Sequence, residues 1–420
     1  MLTWSGRDEL IMNNTDCRTL VSSYLLMLAL LIPGVRARGD GPEFFTQAIF
    51  PPERKHSHAS CLIETAPGEF LAAWYSGSGE RQSDDVVIQG SWLVPQREHW
   101  GPRFQMADTP GYPDCNPALF NASGEIWLFW PTILDHRWEG ALLKYQVCKS
   151  VTPPRPLDWS WSGVVHVTPE SAGFAAAMEK SLATLSEAER IRYKEDVTPF
   201  LARSKDLLSQ RLGWMPRVHP FALPGDAGEK HPGRWILPLY CDTFSASIMV
   251  FSDDRGKTWQ TGKPMIGFGN IQPSLVRKKD GTLVAFMRDN GPHRRIRVST
   301  SADDGESWSP VVDTNFPNPG AGIEALRLNN GHWALIYNDA ARGRHSLAVS
   351  LTDDEGKSWK WTRHVEKHEP GQGSFHYPSI IQGWDGQIHV TYTHHTPAAG
   401  STIQYARLNE AWIRQGDSSP

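Results

Sequence analysis

The chain repeats one pattern of apolar and polar positions: an alternating stretch, a turn around a glycine, and a second alternating stretch. Alternation indicates strands with one buried face, and an Asp-Gly or Asn-Gly pair between two such stretches favours a hairpin. Clear copies of the pattern begin at His58, Asn116, Gln272, Ile323 and Tyr377, and a weaker copy begins at Val218. These six units predict an all-β fold, a six-bladed β-propeller.

A second repeat consists of short polar turns that end in tryptophan. Its copies recur about every fifty residues, which is typical of propeller blades. The third-position aspartate can accept backbone N–H groups across the turn, and the glycine supplies a positive φ angle. The pattern therefore predicts structural turns without a catalytic role. The copies are SDDRGKTW at 252–259, SADDGESW at 301–308 and TDDEGKSW at 352–359.

One segment breaks the strand pattern between the second and third units. Residues 175–212 are rich in helix-forming residues, and apolar positions recur at spacings of three and four. The segment predicts an insertion of two helices, with a break at Pro199, because proline cannot donate the helix hydrogen bond.

An apolar run near the start, LVSSYLLMLALLI at 20–32, is followed by Pro33-Gly34 and a short stretch of small residues. The run is too short for a membrane span and is typical of a secretory signal peptide. We expect residues 1–38 to be an extension plus signal, and the propeller to occupy 45–412. The mature protein is then secreted or periplasmic, with no membrane span.

Composition narrows the range of ligands. A net charge of −4 gives no basic surface for nucleic acid. The 18 tryptophans suit an all-β fold and a sugar-binding surface. Five cysteines without CxxC spacing make a zinc site improbable and leave one or two disulfides open. No metal or cofactor is expected.

The tryptophan-ended turns (Asp boxes), alternating with strand–Gly–strand units, resemble the sialidase superfamily, especially its BNR-repeat branch. The segment HASCLIETAPGEFLAAWYSGSGE, followed by DDVVI, is particularly similar to that branch. The resemblance covers roughly residues 50 to 410 and implies a pocket in which three arginines clamp a substrate carboxylate. It also implies a tyrosine nucleophile activated by a glutamate, and an aspartate acid/base.

Three residues match these roles by their distance from the neighbouring turns. Tyr377, at the head of YPSIIQGWDGQIHVTY, is similar to the nucleophile. Arg288 and Arg344 match the second and third clamp arginines, whose planar guanidinium groups bind a carboxylate through two parallel hydrogen bonds. A packed strand tyrosine and surface ion pairs are the structural alternatives.

Two positions depart from the resemblance. His58 stands where the first clamp arginine is expected, so the clamp is incomplete unless Arg54 reaches into the pocket. Gln272 stands where the activating glutamate is expected, and an amide cannot take a proton from Tyr377.

The acid/base candidates lie in the segment GERQSDD. Glu80 is nearest to the expected position, and Asp84 and Asp85 follow it, although one of them is expected to form a turn. Glu324, at the head of the fifth unit, is a further candidate for the missing general base.

Histidines beside the unit starts, including His58 and His376, support a different chemistry. With Arg288, Arg344 or Gln272 neutralising a uronic acid, His58 or Tyr377 could remove the C5 proton, as in polysaccharide lyases. Three functions therefore stay open: hydrolysis of a terminal acidic sugar, which we favour, β-elimination of a uronic-acid-containing glycan, and sugar binding without catalysis. Each has an acidic oligosaccharide or polysaccharide as its partner.

Overall fold

A computed structural model describes residues 41–417, except 170, 193 and 227–229. Within those residues, the strands form six antiparallel sheets. The first strand of the chain, β1 (Phe44–Ala48), belongs to the last of these sheets. The predicted signal segment lies outside the described residues.

The first three blades follow the chain order and include the weak third copy of the repeat. Blade 1 consists of β2 (His56–Ala66), β3 (Glu69–Gly77), β4 (Val87–Leu93) and β5 (Phe104–Ala107). Blade 2 consists of β6 (Ala118–Ala122), β7 (Glu125–Ile133), β8 (Ala141–Cys148) and β9 (Trp161–Val164). Blade 3 consists of β10 (Trp214–Pro216), β11 (Phe221–Ala222), β12 (Trp235–Cys241), β13 (Ala246–Ser252) and β14 (Gln260–Thr261).

Blades 4 to 6 also follow the chain order from the inner strand outward, and β1 is the outer strand of blade 6. Blade 4 consists of β15 (Asn270–Arg277), β16 (Leu283–Asp289), β17 (Arg295–Ser301) and β18 (Val312–Pro317). Blade 5 consists of β19 (Glu324–Arg327), β20 (Trp333–Tyr337), β21 (Ser346–Thr352) and β22 (Trp361–Lys367). Blade 6 consists of β23 (Ser374–Gln382), β24 (Ile388–Thr396), β25 (Gly400–Leu408) and β1.

The propeller closes because β1 pairs with β25, from Phe44 opposite Leu408 to Ala48 opposite Gln404. The inner strands of neighbouring blades, such as β2 and β23 or β15 and β19, contact each other around the central channel. The prediction of a six-bladed all-β propeller is confirmed for the described residues.

The insertion between blades 2 and 3 is helical, as predicted, but the expectation of two helices is wrong. Its described residues form α1 (Ser171–Ala183), α2 (Glu187–Arg192), α3 (Lys194–Arg203) and α4 (Leu207–Arg211). Pro199 lies inside α3 and does not separate two helices. The helix α4 starts after a turn in which Asp206 accepts the Ser209 N–H.

The helical insertion packs against blade 3 and the chain that leads into blade 4. The Phe174 ring meets the Phe244 ring edge-on at 4.7 Å, and Phe200 lies 5.9 Å from Phe268. These side chains share one buried cluster with Trp214. The insertion is therefore part of the hydrophobic core on this side of the molecule. A last short helix, α5 (Glu410–Arg414), follows β25.

The described cysteines and helices bear on the predictions of disulfides and of a membrane span. Cys61, Cys115, Cys148 and Cys241 are buried and carry free thiols, so the disulfides left open by the sequence are not formed among them. Among the described residues, no helix is long and apolar enough to cross a bilayer.

Candidate functional site

Bulges in the inner strands turn side chains toward the central channel. The pairing register of β15 shifts between Ile271 and Ser274, and that of β23 shifts between His376 and Ser379. Gln272 and Tyr377 occupy these bulges with φ angles of 56° and 47°. A left-handed backbone is costly for residues other than glycine, by roughly 1 kcal/mol or more, and often marks a functional site.

The bulges border a central pocket of about 280 Å³. Six of the predicted site residues line it together, and three residues that were not predicted complete the lining. The predicted residues are His58, Glu80, Gln272, Arg288, Arg344 and Tyr377. The additional residues are Trp138, Tyr240 and Asp242.

The phenol oxygen of Tyr377 accepts hydrogen bonds from two side chains. Arg288 Nη1 donates to its phenol oxygen at 2.9 Å, and Gln272 Nε2 donates to the same oxygen at 3.4 Å. The Arg344 guanidinium lies 5.5 Å from the centre of the ring. Burial opposes ionisation of the phenol, but Arg288 and Arg344 together hold the pKa of Tyr377 below its usual value. The two guanidinium groups therefore make ionisation of this phenol easier than burial alone would allow.

Glu80 is held in the pocket by two aromatic partners from blade 1. The buried Tyr75 hydroxyl donates to its Oε1 atom, and His56 Nε2 lies 3.8 Å from that atom. Burial alone would raise the pKa of Glu80, but the hydrogen bonds from His56 and Tyr75 lower it. Glu80 is therefore ionised in the empty pocket.

His58 occupies the position of the missing clamp arginine, but it is not a cation. Its ring lies 4.6 Å from the Tyr377 ring, and its Nδ1 atom is 3.1 Å from the Thr393 hydroxyl. Burial, together with the nearby His376, His56 and Arg344, holds the pKa of His58 well below its usual value. Two arginines thus remain for a substrate carboxylate.

His376 lies behind the pocket wall and positions Arg344. Arg344 Nη1 donates to His376 Nδ1 at 2.6 Å, and Arg344 Nη2 donates to the Gly320 carbonyl at 2.8 Å. Burial and the Arg344 charge lower the pKa of His376 to about 3, so the imidazole is a neutral acceptor. His376 therefore supports the clamp and does not line the pocket.

Tyr240 and Asp242 come from the third unit, whose repeat is the weakest in the sequence. Trp235 pairs with Ser252 as Leu283 pairs with Ser301, so Tyr240 occupies in blade 3 the place that Arg288 occupies in blade 4. Aligning the two units on the serines of their Asp boxes would have found this position. Burial raises the pKa of Asp242, although Arg288 opposes the shift. Trp138 lies in a 3-10 turn between β7 and β8, which no strand repeat predicts.

A buried arginine supports Tyr377 from below. Arg217 is 2% exposed, and its guanidinium lies 4.7 Å from the centre of the Tyr377 ring. It donates to the carbonyls of Ser60 and Pro378 at 3.3 and 3.1 Å. The nucleophile candidate is thus fixed from three sides by guanidinium groups.

Three acidic candidates do not reach the pocket. Asp84 is exposed and pairs with His136 at 2.6 Å, and Asp85 accepts the Ser78 N–H at the rim. Glu324 is buried below the pocket, where it accepts from His219 Nδ1 at 2.7 Å and from the Ile380 N–H at 2.9 Å. Its oxygens are engaged, so the hypothesis that it is the missing general base is wrong.

Arg54 does not complete the carboxylate clamp. Its side chain is exposed, and Arg54 is not among the residues that line the pocket. Its backbone lies against Gly400, at the turn between β24 and β25.

In the described part of the chain, no group of three or more histidine, cysteine or acidic side chains is placed to hold a metal ion.

Comparison with known proteins agrees with the fold. The family model for the BNR repeat-like domain matches residues 221–390. A sialidase of Micromonospora viridifaciens is 27% identical over 219 residues, which cover 48% of this chain and 32% of that protein. The chain is thus similar in sequence to sialidases and to BNR repeat-like domains.

Solved structures share the propeller fold of this chain. The leech intramolecular trans-sialidase, complexed with 2,7-anhydro-Neu5Ac, has a TM-score of 0.65 at 12% identity and covers 88% of this chain and 71% of its own. A protein of unknown function from Dyadobacter fermentans has a TM-score of 0.63 at 16% identity and covers 88% and 100%. These identities establish the fold alone.

The chain spans between 26% and 39% of the length of the first curated relatives it matches. Those relatives are all named sialidases.

Proposed function

We propose that the chain is a glycosidase of sialidase type that hydrolyses a terminal acidic sugar, sialic acid being the first candidate. The observation that carries the proposal is the Tyr377 phenol held at 2.9 Å by Arg288, with Arg344 beside its ring and Glu80 in the same small pocket. Lectin binding alone does not require a phenol with a lowered pKa between two guanidinium groups.

In this mechanism Arg288 and Arg344 bind the substrate carboxylate, and the Tyr377 oxygen attacks the anomeric carbon. The phenolate is an effective nucleophile because its charge is stabilised by the arginines and by the Gln272 amide. Gln272 therefore does not remove the proton of the Tyr377 phenol. It instead stabilises the phenolate that remains after the proton is lost. A glutamate at this position would instead repel the phenolate once ionised.

Glu80 protonates the leaving oxygen and later removes a proton from the attacking water. Because its pKa is lowered in the empty pocket, the protonated form is scarce at neutral pH. The reactive enzyme has Glu80 protonated and Tyr377 ionised, so a fall in pH populates the first form and depletes the second. We therefore expect kcat/KM to stay nearly constant between the two pKa values and to fall on either side of that interval.

The proposal is tested by trapping with a difluorinated sialic acid, a reagent that stalls the covalent intermediate. Intact mass and peptide mapping should show one adduct, on the peptide that contains Tyr377. Tyr377→Phe should lose the adduct and at least about 10³-fold in kcat on sialyl substrates. Tyr112→Phe, which changes an exposed tyrosine, is the matched control.

Other outcomes assign the pocket differently. An adduct that persists in Tyr377→Phe, or hydrolysis without any adduct, contradicts the nucleophile. Release of an unsaturated, ultraviolet-absorbing sugar from uronic-acid glycans would establish a lyase, with neutral His58 as the base. Saturable glycan binding without turnover would establish a lectin.

A further inference from the structure

A second cavity of about 490 Å³ adjoins the central pocket between blades 5 and 6. It is formed by the loops between β20 and β21, β22 and β23, and β24 and β25. We call it the side groove and define it by Arg342, Arg344, His345, Ser374 and His395. Arg344 lines both cavities, so the side groove begins where the pocket ends.

The lining of the side groove is basic. Its described lining contains two arginines and two histidines and no aspartate or glutamate. The acidic residue next to the lining in sequence, Glu369, is exposed and precedes Pro370. Cations without acidic neighbours attract anions, and Arg side chains are well suited to carboxylate and sulfate oxygens.

The side chains of Arg342 and His345 are available to a ligand, whereas those of Arg344 and Ser374 are held by His376. Within the described residues, no hydrogen bond or ion pair engages the side chain of Arg342 or His345, and His395 uses Nδ1 for Ser401 at 3.1 Å. Arg342 is exposed, and Arg344 is fixed by His376 and Gly320 at the boundary. Arg344 is thus a fixed cation at the boundary, and Arg342 is a second cation beyond it that can bind a second negative group.

We propose that the side groove binds an anionic group, a sulfate ester or a carboxylate, on the sugar that leaves during hydrolysis. The inference rests on the proposed glycosidase and adds a substrate class to it: glycans with adjacent acidic residues. Arg344 would face the carboxylate of the terminal sugar, and Arg342, with His345 and His395, would face the charge on the next sugar.

The experiment compares three substrates with the same terminal sialic acid. Their leaving sugars are a neutral galactose, a galactose sulfate and a second sialic acid. We expect kcat/KM for the two anionic leaving sugars to exceed that for the neutral one by about threefold to fivefold, the range of one exposed ion pair. The preference should weaken in high salt.

Arg342→Ala should reduce this preference to near unity, and Arg342→Lys should retain part of it. Lys257→Ala is the matched control, because it removes the same charge from an exposed Asp-box turn. A preference for only the sulfated or only the disialyl substrate assigns the anion. If all three substrates are hydrolysed at equal kcat/KM and Arg342→Ala changes none of the values, the proposal that the side groove binds an anionic group is wrong.

Failure of the proposed function gives a different result, since none of the three substrates is then hydrolysed. In that case calorimetric titration with the same three glycans tests the groove by itself. Tighter binding of the anionic glycans that is lost in Arg342→Ala supports it, and equal affinities overturn it.

Discussion

Tyr377 differs from an ordinary strand tyrosine in the charges that surround its oxygen. Arg288 donates to this oxygen at 2.9 Å, Arg344 lies beside the ring, and Gln272 adds an uncharged donor. A guanidinium within hydrogen-bonding distance favours the ionised form of a phenol. The amide leaves that preference intact, whereas a carboxylate would oppose it.

Arg288→Gln is expected to raise the pKa of Tyr377, because the phenolate loses its nearest positive charge. The tyrosinate absorbance of each protein, minus that of its Tyr377→Phe counterpart, measures the titration. Arg295→Gln, an exposed change in the same blade, is the control. An unchanged titration in Arg288→Gln would show that Arg288 does not stabilise the phenolate.

Counting from the glycine turns located several pocket residues in the sequence, including Gln272, Arg288 and Tyr377. The same counting failed at Glu324, which lies two residues beyond the position that matches Gln272. Arg327 pairs with Trp333 as Arg277 pairs with Leu283, so Gly322 is the residue of the fifth unit in register with Gln272. Whether a strand bulges depends on packing between blades, which one unit of sequence does not reveal.

At the scale of elements, the Asp boxes are closed by one carboxylate each. In the first of them, Asp254 accepts the Thr258 N–H at 2.9 Å and the Thr258 hydroxyl at 2.6 Å, and Ser252 donates to it at 2.8 Å. Burial opposes ionisation, but these bonds together outweigh it and lower the pKa of Asp254 to about 2 from 3.8. The prediction that these turns are structural agrees with this geometry.

Asp254→Asn is expected to lower the free energy of unfolding, with a pH dependence of known sign. Because the folded pKa lies below the unfolded one, the stabilisation is complete above pH 3.8 and is lost as the pH falls through about 2. Urea unfolding from pH 6 downward should therefore show a gap between the two proteins that narrows in acid. Asp304→Asn is the control, and a gap that widens in acid would contradict the assignment.

The helical insertion illustrates what a local pattern misses. Its periodicity predicted helices correctly, but not their number or their docking. Phe174 and Phe200 pack on aromatic rings contributed by residues 244 and 268, which lie far along the chain. Such contacts form only in the folded propeller, and they decide where each helix ends.

At the scale of the whole molecule, two features hold the blades in a closed ring. At the edge, β1 joins the start of the described chain to blade 6 through β25. At the centre, His219 of blade 3 donates from Nε2 to the Leu62 carbonyl of blade 1 at 2.6 Å and meets Glu324 of blade 5 at 2.7 Å. Glu324 in turn accepts the Ile380 N–H of blade 6.

Residues from four blades thus meet at one buried ion pair. Glu324→Gln removes one charge of this pair and is expected to cost about 3 to 5 kcal/mol of unfolding free energy at pH 6, as loss of one partner of a buried ion pair usually does. Although burial opposes it, contact with Cys61 and Glu324 raises the pKa of His219 well above 6.5. Its contribution is therefore complete below pH 6.5 and is lost as the pH rises through the folded pKa. The difference between wild type and variant, measured by urea unfolding, should shrink at alkaline pH.

His219→Gln combined with Glu324→Gln should be less destabilised than the sum of the single changes, because no unpaired charge is left buried. Equal unfolding free energies for wild type and Glu324→Gln would show that the pair does not hold the ring together.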